Sequence, residues 1–114
     1  TLAPVALTTT ALSAPLSAVM SDPPWRQRLE ACMREVATVA AAEGVEFDVD
    51  ATLAACERAG NMRSSMQKDR AAGRPLELDA IGGAVLRASR RHGLEAPATQ
   101  ELVDLISRET AAGS

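Results

Sequence analysis

Apolar positions recur at helical spacing along most of this chain, and alternating runs of strand length are missing. The first 21 residues contain no charge, and residues 3–13 predict a largely buried helix that Pro15 ends. Leu16–Met20 allow one further turn. Asp22-Pro23-Pro24 then reads as a helix start, an acidic cap with proline in the first turn. The helix it opens should run to about Glu43 and stop at Gly44, with Leu29, Cys32, Met33, Val36, Val39 and Ala40 on its inner face. Glu30 and Arg34 form an exposed i,i+4 pair.

Asp48 or Asp50 can cap the next helix, which should end near Gly60 with Leu53, Cys56 and Ala54 turned inward. A break at Gly60-Asn61 precedes Ser64-Ser65, where a short helix should begin and run to Gly73. Pro75 separates it from a longer helix, Glu77 to His92, stopped by Gly93. Leu78, Ile81, Val85 and Ala88 are its expected apolar stripe. The last helix should begin near Pro97-Ala98-Thr99, bury Leu102, Val103, Leu105 and Ile106, and fray over residues 111–114. No internal repeat or low-complexity linker divides the chain. The pattern is that of an all-α, single compact domain of about six helices.

Composition sharpens this picture in three ways. Alanine is abundant, and Trp25 and Phe47 are the only aromatic residues among 114, which favours close helix–helix approach. The formal charge of −3, with arginines dispersed among acidic residues, argues against a nucleic-acid surface. Arg90-Arg91-His92 is the one tight basic cluster, and it falls where cations favour a helix C-terminus. Cys32 and Cys56 have neither disulfide nor metal spacing and read as small buried hydrophobes in a reducing cytoplasm. The uncharged N-terminal stretch lacks a basic flank and is broken by Pro4, Pro15 and seven Ser/Thr residues, so a buried helix is expected there rather than a membrane span. The first residue is Thr rather than Met, as in a chain that has lost its initiator or in a fragment.

Candidate chemistry is concentrated between residues 64 and 97. On spacing alone, Ser64 and Ser65 are helix caps, although free N–H groups at a helix start also suit an anion. Glu77 and Asp79 are first-turn acids that complement the helix dipole, or carboxylates able to bind a substrate hydroxyl. Gly82-Gly83 costs helix stability, about 1 kcal/mol per glycine relative to alanine, so close packing or close approach to a ligand should offset it. The chain has no GxGxxG, P-loop, nucleophile elbow or HExxH, and His92 is its single histidine. A His-dependent triad and a multi-His metal site are therefore excluded.

The order SSM-x-x-D, R-P-x-E-x-D, I-x-G and H-G-x-x-x-P, from Ser64 to Pro97 without gaps, resembles the C-terminal helical domain of ketopantoate reductases (2-dehydropantoate 2-reductases). The segment MSDPPWRQRLEACMREVATVAAAEGV is similar to the family's approach helix, so the resemblance covers nearly the whole chain. It implies the 6-phosphogluconate dehydrogenase C-terminal-like fold. It also implies an N-terminal Rossmann domain as partner, NADP bound mainly by that domain and none by this chain alone, and a small 2-oxo acid as substrate. A place in pantothenate biosynthesis and a homodimer are further implications. By residue, it implies that Ser65, with Ser64 beside it, binds the substrate carboxylate and that Glu77 is the catalytic glutamate. Asp69 and Asp79 match family positions of structural role.

The chain departs from the family pattern at its start. The family's catalytic lysine falls just before Thr1, and the two asparagines that follow it fall at Leu2 and Ala6, or, one residue on, at Ala3 and Leu7. The asparagine before the SSM run also fits poorly, because Met62 takes its place and Asn61 is one residue too far away. These departures point away from ketopantoate itself and leave another 2-oxo acid, or a degenerate relative, open. The expectation is the substrate-binding and catalytic half of an NADPH-dependent reductase, inactive alone. The alternative is a non-catalytic helical dimerisation module derived from that family. In that case the apolar first 21 residues would lie exposed or mediate self-association.

Overall fold

The computed structural model describes the backbone of residues 3–59 and 78–112, and side chains up to residue 108. Among the described residues there are six helices and no strand. These are α1 (Ala3–Leu12), α2 (Leu16–Ser21), α3 (Pro23–Ala42), α4 (Val49–Ala59), α5 (Ala84–Arg91, entered through a π-helical turn at Asp79–Gly83) and α6 (Pro97–Ala112). The last helix is described to Ala112, and residues 113–114, within the stretch where fraying is expected, lie outside the described residues.

α1 is the axis of the domain. Every residue from Pro4 to Ala11 is buried, as expected of a helix that is apolar on all sides. Two of its threonines are satisfied within the helix: Thr8 Oγ1 donates to the Pro4 carbonyl at 2.8 Å and Thr9 Oγ1 to the Val5 carbonyl at 2.7 Å. The expectation that a standalone module would expose this stretch is therefore corrected over residues 4–11. The chain's own α2, α3, α6 and π-turn pack around them.

Two apolar clusters share α1. Ala6, Leu7 and Ala11 pack with Cys32, Leu102 and Ile106. Val5 packs with Leu16, Val19, Leu29, Met33 and Cys56. Trp25 touches both clusters, and the Arg28 guanidinium lies 4.6 Å from its ring centroid. The inner face predicted for α3 holds: Leu29, Cys32, Met33 and Val39 are buried, and Val36 and Ala40 are half-buried.

Helix ends show which signals the backbone uses. Gly44 and Gly93 have φ of +81° and +65° and close α3 and α5. At each, the residue after the glycine donates back five positions: Val45 N–H to the Ala40 carbonyl and Leu94 N–H to the Ser89 carbonyl, both 2.8 Å. α1 ends in the same way, but Ser13 takes the left-handed position, with φ of +58°. Asp48, not Asp50, caps α4, its Oδ1 accepting from Ala51 N–H at 3.0 Å. Asp22 sits at the cap position of α3 but makes no capping bond. Pro23 and Pro24 occupy the first turn and carry no N–H for it to accept.

The start of α6 is capped from outside its own sequence. Gln100 N–H bonds the Ala96 carbonyl, so Ala96 is the cap residue, and alanine has no side-chain acceptor. Glu35 of α3 supplies one. Its Oε2 accepts from Ala98 N–H at 2.8 Å, and its Oε1 accepts from Thr99 N–H at 2.8 Å and Thr99 Oγ1 at 2.7 Å. Cys32 Sγ lies 3.3 Å from the same buried hydroxyl. Since Thr99 gives its proton to the carboxylate, the thiol is the donor of that pair. Burial, the dominant cause, pushes the Cys32 thiol up to about 11.

Candidate functional site

The segment that carries the expected site leaves the described fold at Ala59 and rejoins it at Leu78. Ala59 ends α4 against the Val5 cluster, and Leu78 packs against the Leu7 cluster. Ser64, Ser65, Asp69 and Glu77 all lie outside the described residues, as do Met62, Asn61, the short helix expected from Ser64 to Gly73, and Leu2.

Leu78 leads into the π-turn Asp79–Gly83, whose i→i+5 bonding adds a residue to the helix. That insertion changes which side chains face inward. α-helical spacing predicts Leu78, Ile81, Val85 and Ala88. Leu78 and Ile81 do pack against the core, half-buried, and Ala88 is buried, but Gly82, Leu86 and Ser89 are buried as well while Val85 is only half-buried. Beyond Ile81 the inner face has moved by one residue.

The two glycines serve different ends. A Cβ on Gly82 would lie 2.6 Å from Val103 Cγ2 and 3.2 Å from Leu7 Cδ2, so this position is where the π-turn meets both α1 and α6. A Cβ on Gly83 would lie 2.5 Å from Asp79 Oδ1 and 3.0 Å from Arg87 Nη1. Its absence clears the line of an ion pair across the turn, in which Arg87 Nη1 donates to Asp79 Oδ1 at 2.9 Å and Nη2 to the Asp79 carbonyl at 3.3 Å. Of the two explanations for Gly-Gly, close packing therefore accounts for Gly82. Asp79 has a structural contact, in line with the sequence expectation.

Beside this pair runs an open groove of about 280 Å³, lined by Leu78, Leu86, Val103, Ser107, Arg87 and Arg90 among others. It adjoins the residue that follows Glu77 in sequence. Of the positions where the family pattern would put asparagines, Ala6 and Leu7 are wholly buried among Leu102 and Ile106, and Ala3 is half-buried at the start of α1. His92 is engaged elsewhere, its Nε2 lying 3.5 Å from Glu43 Oε1, which also faces Arg91 at 3.6 Å. Among the described residues no cluster of His, Cys, Asp and Glu could hold a metal ion, and no helix is long and apolar enough to cross a membrane.

The residue that sequence reasoning missed is Glu35, whose carboxylate fixes α6 and hence Val103 against the π-turn. Its partners are 63 and 64 positions away, so no local spacing reveals it.

Comparison with known proteins agrees with this geometry. The family model for the ketopantoate reductase PanE/ApbA C terminal matches residues 2–109. A 2-dehydropantoate 2-reductase of Halobacterium salinarum is 34% identical over 92 residues, which are 78% of this chain and 30% of that protein. One from Mycobacterium tuberculosis is 42% identical over 77 residues, 64% of this chain and 26% of that protein. The chain thus spans about 30% of the curated relatives it matches. The crystal structure of 2-dehydropantoate 2-reductase from Geobacter metallireducens superposes with a TM-score of 0.86 at 28% identity, covering 94% of this chain and 37% of that one. A D-mandelate dehydrogenase solved with NADH and anilino(oxo)acetate gives 0.85 at 25% identity, covering 96% of this chain and 64% of that one. This chain belongs to the family of ketopantoate reductase C-terminal domains.

Proposed function

We propose that this chain is the substrate-binding helical half of an NADPH-dependent reductase of 2-oxo acids. The observation that carries this reading is the family match over residues 2–109, which encloses the gapless run from Ser64 to Pro97. In the proposed reaction, hydride passes from NADPH to the keto carbon while a proton reaches the carbonyl oxygen, giving a 2-hydroxy acid. Ser65, with Ser64 beside it, binds the substrate carboxylate. Glu77 orients the nascent hydroxyl and manages its proton. The cofactor is bound mainly by an N-terminal Rossmann domain, which is the principal partner, and two such subunits form a homodimer. The setting is cytoplasmic.

The division of labour can be tested directly. The purified 114-residue chain should neither bind NADPH tightly nor turn over, and micromolar binding of NADPH to it alone would sink the proposal. The polypeptide encoded by the complete reading frame should oxidise NADPH when given a 2-oxo acid. In it, Ser65→Ala should raise KM, and Glu77→Gln should lower kcat by about 10²-fold or more, the usual worth of a positioned acid–base group.

A further inference from the structure

We propose that the corner where α3 and α5 end is the face through which two copies of this chain pair, the acidic half of each copy covering the basic half of the other. The inference gives a surface to the homodimer of the proposed function and uses none of its chemistry.

Charge is divided along the chain. Residues 43–57 hold Glu43, Glu46, Asp48, Asp50 and Glu57 and no Lys, Arg or His, whereas residues 80–94 hold Arg87, Arg90 and Arg91 and no acid. The fold sets these two stretches side by side. α3 and α5 end at the same corner, where Glu43 Oε1 lies 3.6 Å from Arg91 Nη2 and 3.5 Å from His92 Nε2. That junction neutralises the seam and leaves the outer charges open. Glu46 on one side and Arg90 on the other are exposed, and neither makes an ion pair with a described residue.

Each half also carries an apolar feature, and the two features match. Val45, next to Glu46, is 58% exposed and is the one exposed large hydrophobic among the described residues. Gly44 before it adds no bulk, since open space surrounds the place a Cβ would take. Arg90 borders an open groove of about 400 Å³, lined by Leu86, Leu94 and Pro97 among others, with Glu95 the one acid in its wall. A valine flanked by an acid thus has its counterpart in a hollow flanked by a base. A two-fold axis makes such a contact twice, because each copy presents both halves. Val45 of one copy enters the hollow of the other while Glu46 faces Arg90. An apolar centre inside a polar rim is the usual build of a protein interface, and opposed charges fix its register.

The test uses the polypeptide encoded by the complete reading frame. Sedimentation velocity should show a dimer that dissociates more readily as salt is raised. Glu46→Arg and Arg90→Glu each set like charges face to face twice, and each should weaken the dimer by about tenfold or more, as should Val45→Asp. All three sites are exposed, so the thermal midpoints should stay near that of wild type. Glu46→Arg and Arg90→Glu combined in one chain should restore the dimer. The decisive step mixes the two single variants, one of them ¹⁵N-labelled. Native mass spectrometry should find the mixed dimer in excess over both homodimers, because only there does every reversed charge meet its opposite. A dimer indifferent to the reversals, or a statistical mixture of dimers, overturns this face and leaves the homodimer standing. A wild-type monomer at every concentration overturns both, and leaves the reductase chemistry to be judged from NADPH oxidation.

Discussion

Replacing Glu35 with alanine would strip α6 of the acceptors at its N-terminus. Three bonds are lost, from Ala98 N–H, Thr99 N–H and Thr99 Oγ1. Losing the cap costs about 1 kcal/mol, and losing a negative charge at a helix N-terminus about 0.5 kcal/mol. The Thr99 hydroxyl, which is wholly buried, is left with only the Cys32 sulfur nearby, and stranding such a group costs about 1–3 kcal/mol. The sum is about 3 kcal/mol, a large share of the ~5–15 kcal/mol that holds a typical domain. Glu35→Gln keeps one carbonyl acceptor but places an N–H₂ group among N–H donors, so about half that loss is expected. The exposed Arg26–Glu57 and Arg28–Glu101 pairs should each contribute about 1 kcal/mol or less.

Urea unfolding followed by Trp25 emission and by far-ultraviolet circular dichroism measures these losses, because Trp25 packs on both core clusters. The midpoint should fall in the order wild type, Gln, Ala, with the slope unchanged. A double-mutant cycle with Thr99→Val should give a coupling of about 1 kcal/mol or more. An Ala variant within about 0.5 kcal/mol of wild type, the range of ordinary surface substitutions, or an additive cycle, would refute the cap.

Three further outcomes can be measured on the same chain. Ser13→Gly should stabilise it by about 1 kcal/mol, since a left-handed non-glycine residue costs roughly that much and Ser13 is exposed; an unchanged midpoint counts against strain there. Cys32 should resist thiol reagents in the native state near neutral pH. Its folded pKa of about 11 lies above the unfolded value near 9, so its contribution is complete below pH 9 and is lost as pH rises towards 11; Cys32→Ala should flatten that fall. Arg87→Ala should cost less than about 1 kcal/mol, because both partners of the Asp79 pair are exposed, and a larger loss by thermal unfolding would mean the brace matters more than its geometry suggests.

What the sequence reveals depends on how far apart the cooperating residues lie. Gly44 and Gly93 announce helix ends because glycine alone takes positive φ freely. Ser13 takes the same conformation without that mark, so the shape of the α1 end is invisible beforehand. The inner face of α3 follows from helical period, but the burial of Leu86 and Ser89 beyond Ile81 does not, because a π-turn inserts one residue and the period gives no sign of it. Gly82-Gly83 did signal an offsetting contact, and the partners became clear only when α1 and α6 were seen on either side. Glu35 belongs to the approach helix that carries the family resemblance, yet its task is set by residues at the far end of the chain.

The burial of α1 bears on what this domain could have lost. Ala6 and Leu7 are wholly enclosed, in contact with Leu102 and Ile106 rather than beside an open groove. An asparagine at either place would need several buried partners for its amide, and stranding it would cost about 1–3 kcal/mol. Apolar residues there favour the fold while supplying no donor to a substrate. The threonines that follow have hydroxyls turned back on their own helix, Thr8 to Pro4 and Thr9 to Val5. At Ala6 and Leu7, α1 is core. The proposed chemistry belongs to the segment between Ala59 and Leu78 in the sequence. Ser65 and Glu77 are in that segment, and both of its anchors sit in the two clusters that α1 joins.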